Sequence, residues 1–143
     1  MTIPSHLSLH HLALTVTDLD ASLAWYQDTF DVSLAMEGPH PGGTGMVLMN
    51  EARTFMIVLH RHDTNESEQF KETRTGLDHA GFSVPSRADL ESWQDHLEAH
   101  GVARSAKADG PMKQSPIADE SYGSVLVFRD PDNIQLEFFA PPG

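Results

Sequence analysis

The sequence is built on an internal repeat, and a duplicated unit restricts the possible folds more than composition does. His11-Leu12-Ala13-Leu14-Thr15-Val16 aligns with His79-Ala80-Gly81-Phe82-Ser83-Val84, an offset of 79 − 11 = 68. The residue classes agree position by position: His, apolar, small, apolar, hydroxyl, Val. The same offset carries Asp18 onto Ser86, Trp25 onto Trp93 and Leu34 onto Val102. Two units of that length, 2 × 68 = 136, account for nearly all of the 143 residues. The chain therefore reads as a single domain over 1–143, with module one at about 7–62, a polar linker at about 63–75 and module two at about 76–140.

Both repeated runs alternate with the period of half-buried strands. Leu12, Leu14 and Val16 face one way, and Ala80, Phe82 and Val84 match them. The opposite face is small and polar and begins with a histidine in each case, as the wall of a concave pocket requires. Asp18 and Ser86 then cap predicted helices over 19–30 and 88–100, with Gly101 as a stop signal. The first helix is expected to bury Leu19, Leu23, Tyr26 and Phe30, and the second Leu90, Trp93 and Leu97. Strand-like runs follow at 32–36, 46–49 and 54–60, and again at 103–106, 124–128 and 134–140. Asp130-Pro131-Asp132-Asn133 is a turn between the last two. Segments 37–45 and 109–123 read as long loops. The pattern is β-α-β-β-β twice, an α+β fold of two tandem modules.

Charge and cysteine content remove several function classes. Nine basic residues against twenty-one acidic ones give 9 − 21 = −12 with histidine neutral. Such a surface repels phosphate backbones and anionic bilayers, which argues against nucleic-acid and membrane partners. Cysteine is absent, so neither a thiolate nucleophile nor a thiolate metal site exists. The longest apolar runs, such as Met56-Ile57-Val58-Leu59, are far short of a membrane span. Met1-Thr2-Ile3-Pro4 leads into no basic-then-apolar segment. The expectation is a cytoplasmic protein.

The candidate chemistry lies on the small polar face. His11 and His79 hold equivalent strand starts, and parity on the last strand sets Gln135 and Glu137 opposite Ile134, Leu136 and Phe138. An inward Glu137, flanked by Leu136, Phe138 and Phe139, is costly unless it meets a cation or a proton. Two imidazoles and a carboxylate suit a divalent metal with positions left open for substrate. Thr15, Ser83 and Gln135 share that face and are candidate substrate contacts, with Tyr122 the nearest phenol on a loop. His6, His10, His40, His62, His96 and His100 read as structural, His10 with the parity of the helix-packed face.

Three motifs carry a family resemblance across essentially the whole chain. His11-Leu12-Ala13-Leu14-Thr15-Val16-Thr17-Asp18, Leu77-Asp78-His79-Ala80-Gly81-Phe82-Ser83-Val84 and Asp130-Pro131-Asp132-Asn133-Ile134-Gln135-Leu136-Glu137 resemble the vicinal oxygen chelate superfamily. That superfamily includes glyoxalase I, extradiol dioxygenases, fosfomycin-resistance transferases and bleomycin-binding proteins. The resemblance implies two βαβββ modules curving a mixed sheet around a metal and substrate cavity. It makes His11, His79 and Glu137 ligands of one divalent ion (Fe, Mn, Ni, Zn or Co), and it implies a homodimer. A site within one chain and a site shared between subunits both satisfy it.

Departures from the pattern narrow the reaction. In glyoxalase I a further carboxylate or glutamine stands on the last strand of the first module. Phe128 to Glu137 is nine residues, and nine beyond Met49 is Val58, which cannot ligate. His60 shares that face two residues on, and stands as a possible fourth donor or, with Glu137, as a general base. The tyrosine expected of extradiol dioxygenases is Val127 here, leaving Tyr122 as the substitute phenol. Ala13 replaces the threonine of fosfomycin-resistance proteins, and no basic residue follows Glu137, which argues against a phosphonate substrate. The resulting expectation is a metal-dependent lyase, isomerase or dioxygenase that chelates a small molecule through adjacent oxygens. The alternative is a non-catalytic, antibiotic-sequestering protein of the same fold.

Overall fold

The computed structural model describes residues 2–143, which form two units, Met1–Glu66 and Ser67–Gly143. In the first unit, β1 (Leu12–Thr15), α1 (Leu19–Phe30), β2 (Ser33–His40), β3 (Gly43–Met49) and β4 (Met56–His62) follow in order. They make a four-stranded sheet of order β1-β4-β3-β2. In the second unit come β5 (Ala80–Ser83), α2 (Arg87–Ala99), β6 (Ala103–Arg104), β7 (Lys113–Gln114), β8 (Ala118–Glu120), β9 (Gly123–Arg129) and β10 (Gln135–Ala140). Its sheet order is β5-β10-β9-β7-β6, with β8 on β9. The first strand lies parallel to the last in each unit, β1 to β4 and β5 to β10. The rest of the β-α-β-β-β plan is antiparallel, except for a short parallel β6–β7 pair.

Local signals work as anticipated at the helix starts. The Asp18 carboxylate accepts from the Ala21 N–H at 3.0 Å, and Ser86 Oγ accepts from Asp89 N–H at 3.3 Å. Burial on α1 differs from the expected stripe: Ser22, Trp25, Tyr26, Thr29 and Phe30 are buried, while Leu19 and Leu23 are only half-buried. The larger apolar area of the aromatic rings decides this, with Trp25 edge-on to Tyr26 at 4.7 Å and Tyr26 stacked on Phe30 at 5.5 Å. On α2, Leu90 and Leu97 are buried and half-buried Trp93 lies 4.4 Å from the Phe138 ring. Beneath the helices, Leu14, Leu48, Ile57 and Leu59 fill one core, and Leu126, Phe128, Leu136 and Phe138 the other.

The predicted loop at 37–45 is largely strand, and the one at 109–123 includes two short strands. Segment 37–45 is the β2–β3 hairpin, paired from Glu37↔Met46 to His40↔Gly43 and turning at Pro41-Gly42, where Gly42 takes φ +86°. Its prolines mislead because β2 is an edge strand, where a missing N–H costs no ladder bond. Segment 109–123 contributes β7 and β8. There Gln114 is fully buried, and its amide donates to the Gln94 and Val102 carbonyls, both at 3.0 Å. His10 is exposed rather than packed beneath a helix, its ring edge-on to His11 at 5.1 Å.

The linker is also anchored within the second unit. Phe70 N–H donates to Asp132 O at 2.9 Å, and the buried Arg129 holds Glu72 with Nη1–Oε2 at 2.9 Å and Nη2–Oε1 at 3.1 Å. The hydrogen bond from Arg129, then one from the backbone, bring the Glu72 carboxyl down to about 2 from its ordinary 4.5. Its folded pKa lies below its unfolded value, so the stabilisation is complete above about pH 4.5 and disappears as pH falls toward 2. Replacing Glu72 by Gln is expected to cost on the order of 1 kcal/mol near neutrality, because solvent screens a half-exposed partner. Urea unfolding at pH 7 and at pH 2–3 checks this: the difference from wild type shrinks toward zero at the acid end.

Candidate functional site

The parallel pairing of β5 with β10 builds the candidate site of the second unit. Its register sets Leu136 beside Ala80 and Glu137 beside Gly81. Because side chains alternate, Glu137 and the preceding Gln135 share a face with His79, Gly81 and Ser83. Gly81 leaves the space that the Glu137 side chain occupies: a Cβ there would stand 3.2 Å from Glu137 Oε1 and 3.4 Å from its Cγ. The carboxylate leans over this notch and brings Oε1 to 3.5 Å from His79 Nε2. Its side chain is 22% exposed, between the buried Leu136 and Phe138.

Asp78 completes this arrangement, and the sequence analysis did not single it out. Its Oδ1 lies 2.7 Å from His79 Nδ1. An ionised carboxylate only accepts, so Nδ1 carries the proton and Nε2 of the neutral ring turns a lone pair toward Glu137. Two acceptors then face each other, a contact that only a proton or a metal ion makes favourable. The hydrogen bond to Asp78 raises the His79 pKa, opposed by burial and reinforced by the Glu137 charge. An imidazole backed by a carboxylate and facing a second carboxylate is a common metal-binding arrangement. Two donors each about 2.0–2.2 Å from one ion sit about 3 to 3.5 Å apart, so the pair fits a divalent cation.

In the first unit the equivalent position carries no ligand. Ala13 pairs with Val58 as Gly81 pairs with Glu137, so the hairpin count that assigned Val58 agrees with the register. His60 lies beside Thr15, two residues along. What the sequence analysis missed is its company. Gly43 pairs with His40 and His62, and Gly45 with His60. Gly45 makes room for an imidazole, since a Cβ there would lie 3.2 Å from His60 Cε1; at Gly43 a Cβ would meet the Arg61 carbonyl first and also lie 2.9 Å from His40 Cε1. Ring centroids of His40, His60 and His62 lie 4.9 to 5.9 Å apart. The spacing His60-x-His62 on one strand face was the available signal; the hairpin that brings His40 across was hidden in the supposed loop.

The tautomers of this cluster follow from its partners. His40 Nδ1 is 3.0 Å from the Pro41 carbonyl, which only accepts, so neutral His40 has its lone pair on Nε2. That atom lies 3.1 Å from His60 Nδ1, which therefore donates and leaves the His60 lone pair on Nε2. Burial lowers the His60 pKa, and His40, His62 and His11 lower it further, all favouring the neutral ring.

The other expected site residues are distributed within their own units. His11 is exposed at the start of β1, its Nδ1 2.8 Å from His10 Nδ1. Thr15 and Ser83 are exposed on their strands. Tyr122 is 63% exposed and stacks on Phe139, which shares the Glu137 face, with centroids 6.3 Å apart. The Gln135 amide is engaged internally, with Arg129 and Asp78. Among the described residues, no group of three or more His, Cys, Asp or Glu side chains is placed to hold a metal ion.

Comparison with known proteins agrees with this architecture. An "Uncharacterized protein YqjT" of Bacillus subtilis is 24% identical over 133 residues, covering 93% of this chain and 98% of the relative. A crystal structure of a glyoxylase/bleomycin resistance protein/dioxygenase domain from Frankia sp. EAN1pec superposes with TM-score 0.82 at 33% identity. It covers 96% of this chain and all of its own. The fosfomycin resistance protein FosX from Listeria monocytogenes shares the fold at 19% identity and TM-score 0.67, over 98% of this chain and 96% of FosX. A FosX variant has been solved with Mn(II) and 1S,2S-dihydroxypropylphosphonic acid, at 17% identity and TM-score 0.65, covering 96% of this chain and 95% of that one. The family model described as Glyoxalase/Bleomycin resistance protein/Dioxygenase superfamily matches residues 8–138, and the chain belongs to that superfamily.

Proposed function

We propose that this protein is a metal-dependent enzyme that binds a small molecule through neighbouring oxygens, with His11, His79 and Glu137 holding one divalent cation. The observation that carries the reading is the His79 Nε2–Glu137 Oε1 pair at 3.5 Å, with Asp78 fixing the imidazole from behind. His11 enters through the superfamily pattern. Imidazole and carboxylate donors without thiolate suit Fe, Mn, Ni, Zn or Co. When bound, such an ion would supply Lewis-acid chemistry toward adjacent substrate oxygens.

The chain's own residues would supply the rest. His60, neutral and with its Nε2 lone pair free of His40, is suited to accept a proton from substrate. Glu137 is the second candidate base. Thr15 and Ser83 offer hydroxyls on the ligand face, and Tyr122 a phenol from the β8–β9 turn. With a net charge of −12, the surface disfavours capture of an anionic substrate by long-range attraction. The proposal includes a homodimer and a cytoplasmic location. No helix among the described residues is long and apolar enough to cross a membrane.

Metal loading followed by metal analysis tests the reading. About one equivalent of one of these ions should be retained, and both His79→Ala and Glu137→Gln should weaken binding by 100-fold or more, on the order of a lost direct ligand. Retention below about a tenth of an equivalent favours the sequestering alternative. A panel of 2-oxoaldehyde–thiol adducts and catechols then separates isomerase or lyase chemistry from ring cleavage.

Two further outcomes follow from the geometry. Gly81→Ala pushes a methyl to 3.2 Å from Glu137 Oε1 and should cut metal affinity by about tenfold while leaving the fold intact. Titration of metal into the variant checks this. His40→Leu removes the acceptor for His60 Nδ1–H, and nitrogen NMR should then show the His60 proton shared between both ring nitrogens instead of held on Nδ1.

A further inference from the structure

We propose that Arg129 is a positioning residue for His79, acting through Gln135 and Asp78. What His79 is positioned for rests on the metal-ligand reading above; the positioning itself does not. Arg129 is buried, 5% exposed, and all five of its N–H groups have acceptors. Nε donates to Ala108 O at 2.7 Å, and Nη1 to Glu72 Oε2 at 2.9 Å and Asn133 O at 3.2 Å. Nη2 donates to Glu72 Oε1 and to Gln135 Oε1, each at 3.1 Å.

Four of these bonds fasten the linker, the 105–109 stretch and the β9–β10 turn. The fifth leads to the site. A guanidinium has no acceptor, so the Gln135 amide must present its oxygen to Arg129 and its NH2 to the other side. On that side Nε2 lies 3.2 Å from Asp78 Oδ1 and 3.3 Å from Asp78 O. Asp78 Oδ1, receiving this donor, is also the atom 2.7 Å from His79 Nδ1. Every link has one permitted direction: arginine donates to amide oxygen, amide NH2 to carboxylate, and imidazole Nδ1–H to the same carboxylate. The chain ends with the His79 Nε2 lone pair facing Glu137.

Without the amide tether, little else restrains Asp78, whose side chain is 67% exposed and free to turn into water. The arrangement thus transmits a fixed orientation from a fully engaged buried cation to a partly exposed ring. It also explains why Gln135, on the ligand face by parity, serves the site from behind.

Gln135→Glu is the discriminating variant, because it keeps an acceptor for Arg129 but replaces the donor with a carboxylate that repels Asp78. Gln135→Met, which removes both functions, is the second. In metal-free protein with His79 neutral, nitrogen NMR of the wild-type ring should show the proton on Nδ1. In both variants it should move substantially to Nε2, with the thermal midpoint of Gln135→Glu near that of wild type. Affinity for manganese, nickel or zinc should fall about tenfold or more, as for other groups that orient a ligand. A His79 ring that keeps its Nδ1 proton in both variants overturns the proposal, whether or not metal binds. A wild type that binds no metal but loses its tautomer preference in Gln135→Glu leaves the positioning intact and removes the metal-ligand reading instead.

Discussion

The parallel register between β5 and β10 is the constraint on which the site depends. It sets Glu137 beside Gly81 and, one step earlier, brings Gln135 level with the start of β5. A slip of one residue would turn Glu137 toward the core and Leu136 toward the polar face. The burial of Leu136, Phe138 and Ala140 on one side, with Gln135, Glu137 and Phe139 only half-buried on the other, holds that register. The core therefore decides where the carboxylate points. The missing Cβ at Gly81 decides how close it comes to His79.

The duplicated units keep one backbone plan and have diverged in chemistry. Ala13 and Gly81 occupy the same place, as do Val58 and Glu137. The residue before each strand-start histidine differs as well: Asp78 holds the Nδ1 proton of His79, whereas exposed His10 lies against His11. In compensation, the first unit collects His40, His60 and His62 in a notch cleared by Gly43 and Gly45. One unit thus presents a carboxylate–imidazole pair, and the other a neutral imidazole with a free lone pair.

Much of the fold was legible because its signals are local. The helices start at their caps, Asp18 and Ser86, and the 130–133 turn forms where Asp130 Oδ1 accepts from the N–H groups of Asp132 and Ile134 at 2.9 and 2.8 Å. The misread segment was 37–45, where Pro39 and the glycines speak for a loop while edge pairing with β3 makes a strand. That error concealed His40. Asp78 was passed over because an exposed acid next to a histidine has no distinctive pattern in sequence, and Arg129 because burial of a cation depends on acceptors scattered from Glu72 to Gln135.

The sequence by itself determined the duplication, the β-α-β-β-β order, the two helices with their caps, and the face of the last strand on which Gln135 and Glu137 lie. Each follows from periodicity or capping over a few neighbouring residues. Only the tertiary structure decided that three imidazoles meet at a glycine notch, and that Arg129 reaches His79 through Gln135 and Asp78. Those facts depend on the directions of donors and acceptors brought together from residues as far apart as Asp78 and Gln135. Strand register sets such meetings, and no local propensity encodes them.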